Sequence, residues 1–392
     1  MSSDFLVVGG GVLGLSLALA LQARFADQTV CVIDKDRCGA HASGRNSGVL
    51  HAGFYYGADT LRAKFSVEGR RRMVDWCDDN GVTVRRCGKL VVARTVADHA
   101  GLDELLRRAE RNGVALESLT SEEAHAIEPR VQTCQRALFS PSTASVDPEA
   151  VMASLVDASR ARGIEIVEGE AYLGRADAGV HTTAGTRRAG FVVNAAGVYA
   201  DRIAADFGFG HRYAMVPFRG LYLYGGPSAG SLACHIYPVP DLKMPFLGVH
   251  FTVTSGGQIK IGPTATPALG REHYGGVQGL AWPELVGIGV RQGGLLMRDP
   301  SFRRLAVQEL RHQSRWALVS EASTLVSGVR RADFRRWGRP GIRAQLVDRQ
   351  SSKLVMDFVV EGDAHSLHIL NGISPGFTCS LAFADWVVGQ MT

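Results

Sequence analysis

Gly9, Gly11 and Gly14 stand in the register Gly-x-Gly-x-x-Gly close behind a short apolar run. Where a strand turns directly into a helix, the first such glycine admits the tight turn and the second lets backbone approach a pyrophosphate. The third lets the helix pack closely on its strand. Val12 and Leu13 then open the helix, and its N-terminal N–H groups face the phosphates. Asp34 lies 20 residues past Gly14. A carboxylate there accepts hydrogen bonds from ribose hydroxyls and repels a 2′-phosphate, so the expected ligand is a dinucleotide other than NADP, with Lys35 beside the sugar. The fingerprint alone does not separate FAD from NAD.

For these residues to meet, residues 5–8 must form a strand, 12–23 a helix and 29–33 a second strand ending at Asp34. Together they make one βαβ unit. Residues 89–94 read as a strand, 98–126 as helices, and 147–162 as an amphipathic helix leading into strands at 164–168 and 190–196. From 217 to 262, strand-like runs alternate with Gly and Pro turns, the pattern of an antiparallel sheet. Residues 282–337 carry Leu, Arg and Trp at helical spacing and no strand signal, and read as a helical insertion. Strands at 341–346 and 367–370, a Gly-containing turn and a helix from about Thr378 close the chain. The expected fold class is α/β with an α+β second domain: a Rossmann-type dinucleotide domain beside a domain built on a mixed or antiparallel sheet.

At 392 residues the chain exceeds one compact core, which calls for two domains. Its 46% hydrophobic and 21% charged content is that of a globular protein, and 46 glycines without a collagen period suit tight turns and close backbone approach to a ligand. The net charge of +5 suits an anionic ligand but is too small and dispersed for nucleic acid, which is not expected as a partner. Seven cysteines form no Cys-x-x-Cys pair, so reduced thiols, a cytoplasmic location and no metal are expected. No apolar run reaches the ~18–20 residues needed to span a bilayer, and residues 12–23 read as a buried helix rather than a signal segment.

The continuation resolves the cofactor. ASGRNSGVLHAGFYYG (42–57), GKL (88–90), VNAAGVYAD (193–201), VPFRG (216–220), IYPVPD (236–241), PFLGVHFT (245–252) and GIRAQ (341–345) resemble the FAD-dependent D-amino-acid-oxidase-like superfamily. Within it they are similar to the L-2-hydroxyglutarate oxidase or dehydrogenase family, over nearly the whole chain. The resemblance implies FAD as cofactor. It also implies a discontinuous FAD-binding domain (1–88, 145–212 and 338–392) and a substrate domain (89–144 and 213–337, the insertion at about 282–337 included). Ser43, Arg45, Asn46, Ser47 and Gly48 supply small residues and a cation where an extended FAD must lie. Val167 would contact adenine through its backbone, and Ala196 and Gly197 would let the chain pass close to the cofactor. The turn holding Gly372, Ser374, Gly376, Phe377 and Thr378 feeds a helix whose N-terminal dipole suits negative charge on a reduced flavin.

Oxidation of a 2-hydroxy acid to the 2-oxo acid needs a cation for the carboxylate and a base for the hydroxyl proton. Arg343 stands where relatives in the superfamily place a carboxylate-binding arginine, and a guanidinium clamps a carboxylate through two parallel bonds. Arg219 and Tyr237 are candidates for the distal end, and Tyr55 for the pocket lining. His250 and His51 are both candidate bases, since an imidazole with an unperturbed pKa of about 6.5 suits proton abstraction near neutrality. Two residues depart from the hydroxyglutarate pattern. Arg45 replaces a histidine, so flavin attachment through that position is not carried over. Lys260 resembles the oxygen-activating lysine of sarcosine-oxidase-like relatives, which keeps an amine or amino-acid oxidase as the alternative. Oxygen or a quinone is the expected electron acceptor. Basic and aromatic residues of 282–337 suit peripheral contact with a membrane interface.

Overall fold

The computed structural model describes residues 2–242, 247–275, 282–298 and 300–391. Pro245 and Phe246 of the 245–252 motif lie outside them. Ser2–Val8 is a strand whose Phe5, Leu6, Val7 and Val8 are all buried. A strand that shows no alternation is covered on both faces, as parallel sheets are. It lies between Gly185–Asn194 and Val30–Asp34 and runs parallel to both. The sheet extends to Glu165–Glu168 on one side and to Ser366–Ile369 and Val360–Gly362 on the other. Three separated stretches of chain therefore build it.

The helix Val12–Arg24 packs against Pro148–Ala161 and against the C-terminal helix Gly376–Gly389, which also meets Leu61–Asp79. Caps fix where two of these begin. The Thr60 hydroxyl accepts from the Ala63 N–H, and the Asp147 carboxylate accepts from the Glu149 N–H beside Pro148. Each satisfies an N–H that the helix itself leaves without an acceptor.

A second sheet runs in the order Phe334–Trp337, Leu223–Gly225, Ile259–Gly262, His250–Val253, His235–Pro238, Lys89–Val92, Arg136–Ser140, Glu117–Thr120. Its pairings are antiparallel except that between His235–Pro238 and Lys89–Val92. A third sheet centres on Tyr213–Gly220 and Gly341–Asp348, antiparallel in unbroken register from Tyr213 opposite Asp348 to Gly220 opposite Gly341. The insertion holds helices Trp282–Arg298, Pro300–His312 and Arg315–Ala322. The last buries Leu318, Val319 and Ala322 against Phe251, Ile259 and Ile261 of the second sheet.

Three expectations are corrected. Phe334–Trp337, read as the end of a helical insertion, is a strand. Glu117–Thr120, read as helix, is a strand between the helices His99–Arg111 and Ser121–Ile127. Gly341–Asp348, assigned with the dinucleotide domain, pairs along its whole length with Tyr213–Gly220 of the other unit. For Phe334–Trp337 and Gly341–Asp348 the strand each joins lies more than a hundred residues away, and local pattern does not carry that information.

Candidate active site

A cavity of about 1150 Å³ runs from the glycine turn to the second and third sheets. It exceeds the ~300–1,000 Å³ of sites that enclose a drug-sized ligand, leaving room for a dinucleotide and a small substrate together. At its near end Gly9 takes φ +113°, and a Cβ there would sit 2.5 Å from the Ala195 carbonyl oxygen. A Cβ on Gly14 would sit 1.8 Å from the Gly9 carbonyl oxygen. Gly9, Gly11, Val12 and Leu13 line the cavity, whereas Gly14 lies behind them, in the strand–helix packing its position implied.

The Val12 N–H donates to Ser43 Oγ at 2.9 Å, a cap supplied from across the chain because Gly11 has no side chain to give. Asp34 accepts from the Gly10 N–H at 2.7 Å and the Asp36 N–H at 2.9 Å, which fixes its carboxylate at the cavity wall. Ala196 and Gly197 line the wall beside Gly9. Val167 does not: its side chain packs into the apolar cluster with Leu6, Val8 and Ile33, and residues 170–173 line the cavity in its place. The strand containing Val167 ends at Glu168, so the chain reaches the ligand only after it leaves the sheet.

A loop from the other unit covers this end. Glu272 pairs with Lys35 at 2.5 Å and accepts from the Tyr199 hydroxyl at 2.8 Å, while the Tyr274 hydroxyl meets His41 Nδ1 at 2.6 Å. The Arg45 guanidinium lies 4.2 Å over the Tyr274 ring, with Nε donating to the Ala40 carbonyl. Asp36, His41 and Glu272 bring ligand atoms within 4.8 Å of one another, but Lys35 pairs with both carboxylates and already supplies the positive charge a metal would bring.

Midway, Ser43, Arg45, Asn46 and Ser47 line one side, and Gly372, Ser374, Phe377 and Thr378 the other. Gly48 and Gly376 do not. A Cβ on Gly48 would lie 2.3 Å from the Val146 carbonyl oxygen, and Gly376 begins the C-terminal helix from within the core. The narrow glycine turn, the Asp34 carboxylate and a helix N-terminus midway along the cavity fit a flavin dinucleotide.

The deep end gathers the buried His51, Tyr55, Tyr237 and His250 and the half-buried Arg343, all lining the cavity. Tyr237 stacks on the His250 ring at 3.7 Å between centroids. His250 Nδ1 lies 2.8 Å from the Gly248 carbonyl oxygen. A carbonyl only accepts, so Nδ1 carries the hydrogen and Nε2 keeps a lone pair. Burial pulls the pKa of His250 down to about 3, and burial together with nearby Lys89 holds His51 well below its ordinary value. Both imidazoles are neutral at pH 7. Burial and neighbouring Arg62 lower Arg343 to about 10, so its guanidinium remains charged.

Two candidates do not line the cavity. Arg219 does not line the cavity; its neighbour Phe218 does, because successive strand residues face opposite sides. Lys260 does not reach the cavity either. Its Nζ donates to the Ser47 carbonyl at 3.0 Å and rests 4.4 Å over the Tyr222 ring. Several members of the deep end escaped the sequence reading: Tyr222, Arg62 and, behind the wall, Lys89. The signal for Lys89 was present, as a lysine heading the otherwise apolar strand Lys89–Val92. His235 is structural: its Nδ1 accepts from the Val253 N–H at 3.0 Å.

Comparison with known proteins fits this geometry. A family model described as FAD dependent oxidoreductase matches residues 4–390. The L-2-hydroxyglutarate dehydrogenase of Escherichia coli is 30% identical over 396 residues, covering 99% of this chain and 93% of that protein. The mitochondrial L-2-hydroxyglutarate dehydrogenase of Nematostella vectensis is 34% identical, covering 99% and 90%. Among solved structures, the L-alpha-glycerophosphate oxidase of Mycoplasma pneumoniae with FAD bound superimposes with a TM-score of 0.78 at 20% identity, covering 99% of this chain and 94% of that one.

Proposed function

The chain belongs to the FAD-dependent oxidoreductase family, and from that premise we propose that it oxidises L-2-hydroxyglutarate, or a closely similar 2-hydroxy acid, to the 2-oxo acid. The observation that carries this reading is a neutral histidine and a charged arginine, His250 and Arg343, both lining the one cavity. When bound, FAD supplies the acceptor for the two electrons and the hydrogen leaving C2. Gly11, Val12 and Leu13 would hold its pyrophosphate, Asp34 its ribose, and the turn before the C-terminal helix the far end.

Arg343 binds the carboxylate and thereby sets where C2 lies. His250 takes the hydroxyl proton at Nε2, and Tyr237, stacked on it, fixes the plane of the ring. A positioned base with a pKa near the working pH contributes roughly 10²- to 10⁴-fold in rate, and the lowered pKa of His250 places it at the low end of that range. His51 is the second imidazole lining the cavity, and among the described residues its buried Nδ1 has no hydrogen-bond partner. Lys260, the main motive for an amine-oxidase reading, lies behind the cavity wall with its Nζ held by the Ser47 carbonyl and the Tyr222 ring, so it offers no direct contact to a substrate. In anaerobic titration, L-2-hydroxyglutarate is expected to bleach the visible flavin band in about one equivalent. A spectrum unchanged by that acid overturns the proposal.

Oxygen or a quinone takes the electrons onward, and we assign the quinone route to a membrane interface. Among the described residues no helix is long and apolar enough to cross a membrane. The insertion helices nevertheless expose Val286, Val290, Met297, Val307 and Leu310 beside exposed Arg303 and Arg311, an apolar and basic surface suited to anionic headgroups. The enzyme is expected to co-sediment with vesicles containing anionic lipid, less so in high salt, and Val290→Glu to weaken the association. Recovery entirely in the supernatant at low salt would rule the contact out.

A further inference from the structure

Lys89 is fully buried, yet among the described residues its Nζ has no hydrogen-bond partner. Three rings enclose it instead, those of Tyr237 at 4.4 Å, Tyr55 at 4.7 Å and Phe54 at 5.2 Å. Tyr237 and Tyr55 line the cavity, so the ammonium lies one ring behind the wall. We propose that Lys89 makes the pocket selective for a substrate bearing two carboxylates, as the counter-charge of the carboxylate that Arg343 does not hold. The inference rests on the hydroxy-acid reading and adds the substrate's second charge.

The argument is one of unanswered charge. The groups around Lys89 are Cys87 on its own approach, His235 and Tyr237 from the neighbouring strand, His250 from the next, and His51 and Tyr55 from the cofactor-side segment. None is an anion. Burial pushes the Cys87 thiol and the Tyr55 and Tyr237 phenols up, so they stay protonated, and it holds the three histidines neutral. Aromatic faces soften a buried ammonium without neutralising it, and a buried charge without a partner is costly. Burial accordingly pulls the Lys89 pKa down to about 7. An anion arriving in the cavity acts on Nζ across a poorly screening layer of rings, where Coulomb attraction is several times stronger than in water. It raises that pKa again. Binding of a dianion therefore takes up part of a proton near neutrality, and its affinity falls as pH rises above about 7.

The test uses the holoenzyme and titrates its flavin spectrum with 2-oxoglutarate, which has two carboxylates, and 2-oxobutyrate, which has one, between pH 6 and 9. The wild type is expected to bind 2-oxoglutarate about tenfold more weakly at the alkaline end, with a much smaller change for 2-oxobutyrate. Lys89→Met is expected to lose at least about tenfold for 2-oxoglutarate and to flatten its pH profile, with 2-oxobutyrate within about twofold. Lys89→Arg, charged at every pH tested, is expected to restore discrimination without the pH slope. Equal losses for both acids in Lys89→Met, or no loss for either, overturn the inference. The outcomes separate cleanly from those for the hydroxy-acid reading. A wild type that L-2-hydroxyglutarate does not bleach defeats that reading, whereas a wild type that bleaches beside an unimpaired Lys89→Met defeats only the role of Lys89.

Discussion

Gly14→Ala is expected to yield a protein that retains no flavin and has lost most of its stability. The added methyl would lie 1.8 Å from the Gly9 carbonyl oxygen, where real Cβ contacts begin beyond 3 Å. The obstacle is backbone, so no side chain can rotate out of the way. The helix Val12–Arg24 would have to move off the strand Ser2–Val8 by more than an ångström, opening the most apolar core of the molecule. Overpacking of far milder kinds costs about 1–3 kcal/mol, and the whole fold has only about 5–15 kcal/mol in reserve. Gly11→Ala is the informative contrast. Its methyl meets only Ser43 Oγ at 3.0 Å, a hydroxyl that can turn away at the cost of its bond to the Val12 N–H, so this variant should fold and bind flavin weakly. The ratio of visible to ultraviolet absorbance and the thermal midpoint with added FAD decide the matter. A yellow Gly14→Ala enzyme melting with the wild type would refute the packing argument.

Arg343→Gln is expected to keep its flavin and lose roughly 10²- to 10³-fold in kcat/KM, the consequence of removing one partner from a buried, hydrogen-bonded charge pair worth about 2–5 kcal/mol. The loss should appear in both KM and kcat, because a carboxylate that is not anchored leaves C2 misplaced as well as loosely held. Arg343→Lys should recover little, since an ammonium cannot offer two parallel N–H groups to one carboxylate. A Gln variant within threefold of the wild type would mean that the substrate carboxylate binds elsewhere.

At the dinucleotide end, Gly9, Gly11, Val12, Leu13 and Asp34 could be placed at one site from sequence because they belong to one local βαβ unit, and all five line the cavity. What escaped did so for identifiable reasons. The two unrecognised strands, Glu117–Thr120 and Phe334–Trp337, are the opposite edges of one eight-stranded sheet. Edge strands are short and charged, which discourages pairing with other chains and makes them look like helix surface. Arg335 and Arg336 illustrate it, exposed on such an edge. Arg219 and Lys260 were sound as chemistry, but which way a strand residue faces depends on register, and register is a long-range property. Lys89 was hidden for a different reason: its setting is made by Phe54, Tyr55 and Tyr237, two segments distant in sequence, so no local pattern marks it.

The bond from His250 Nδ1 to the Gly248 carbonyl also bears on the order of events in turnover. An amide oxygen cannot pass a proton along, so the ring has no rear exit. Whatever Nε2 gains from one substrate must depart by the same face, and that face is blocked while the product sits against it. On the proposed role of His250 as the base, each catalytic cycle ends with emptying of the pocket before the imidazole is reset, which ties the release of acid to the release of product.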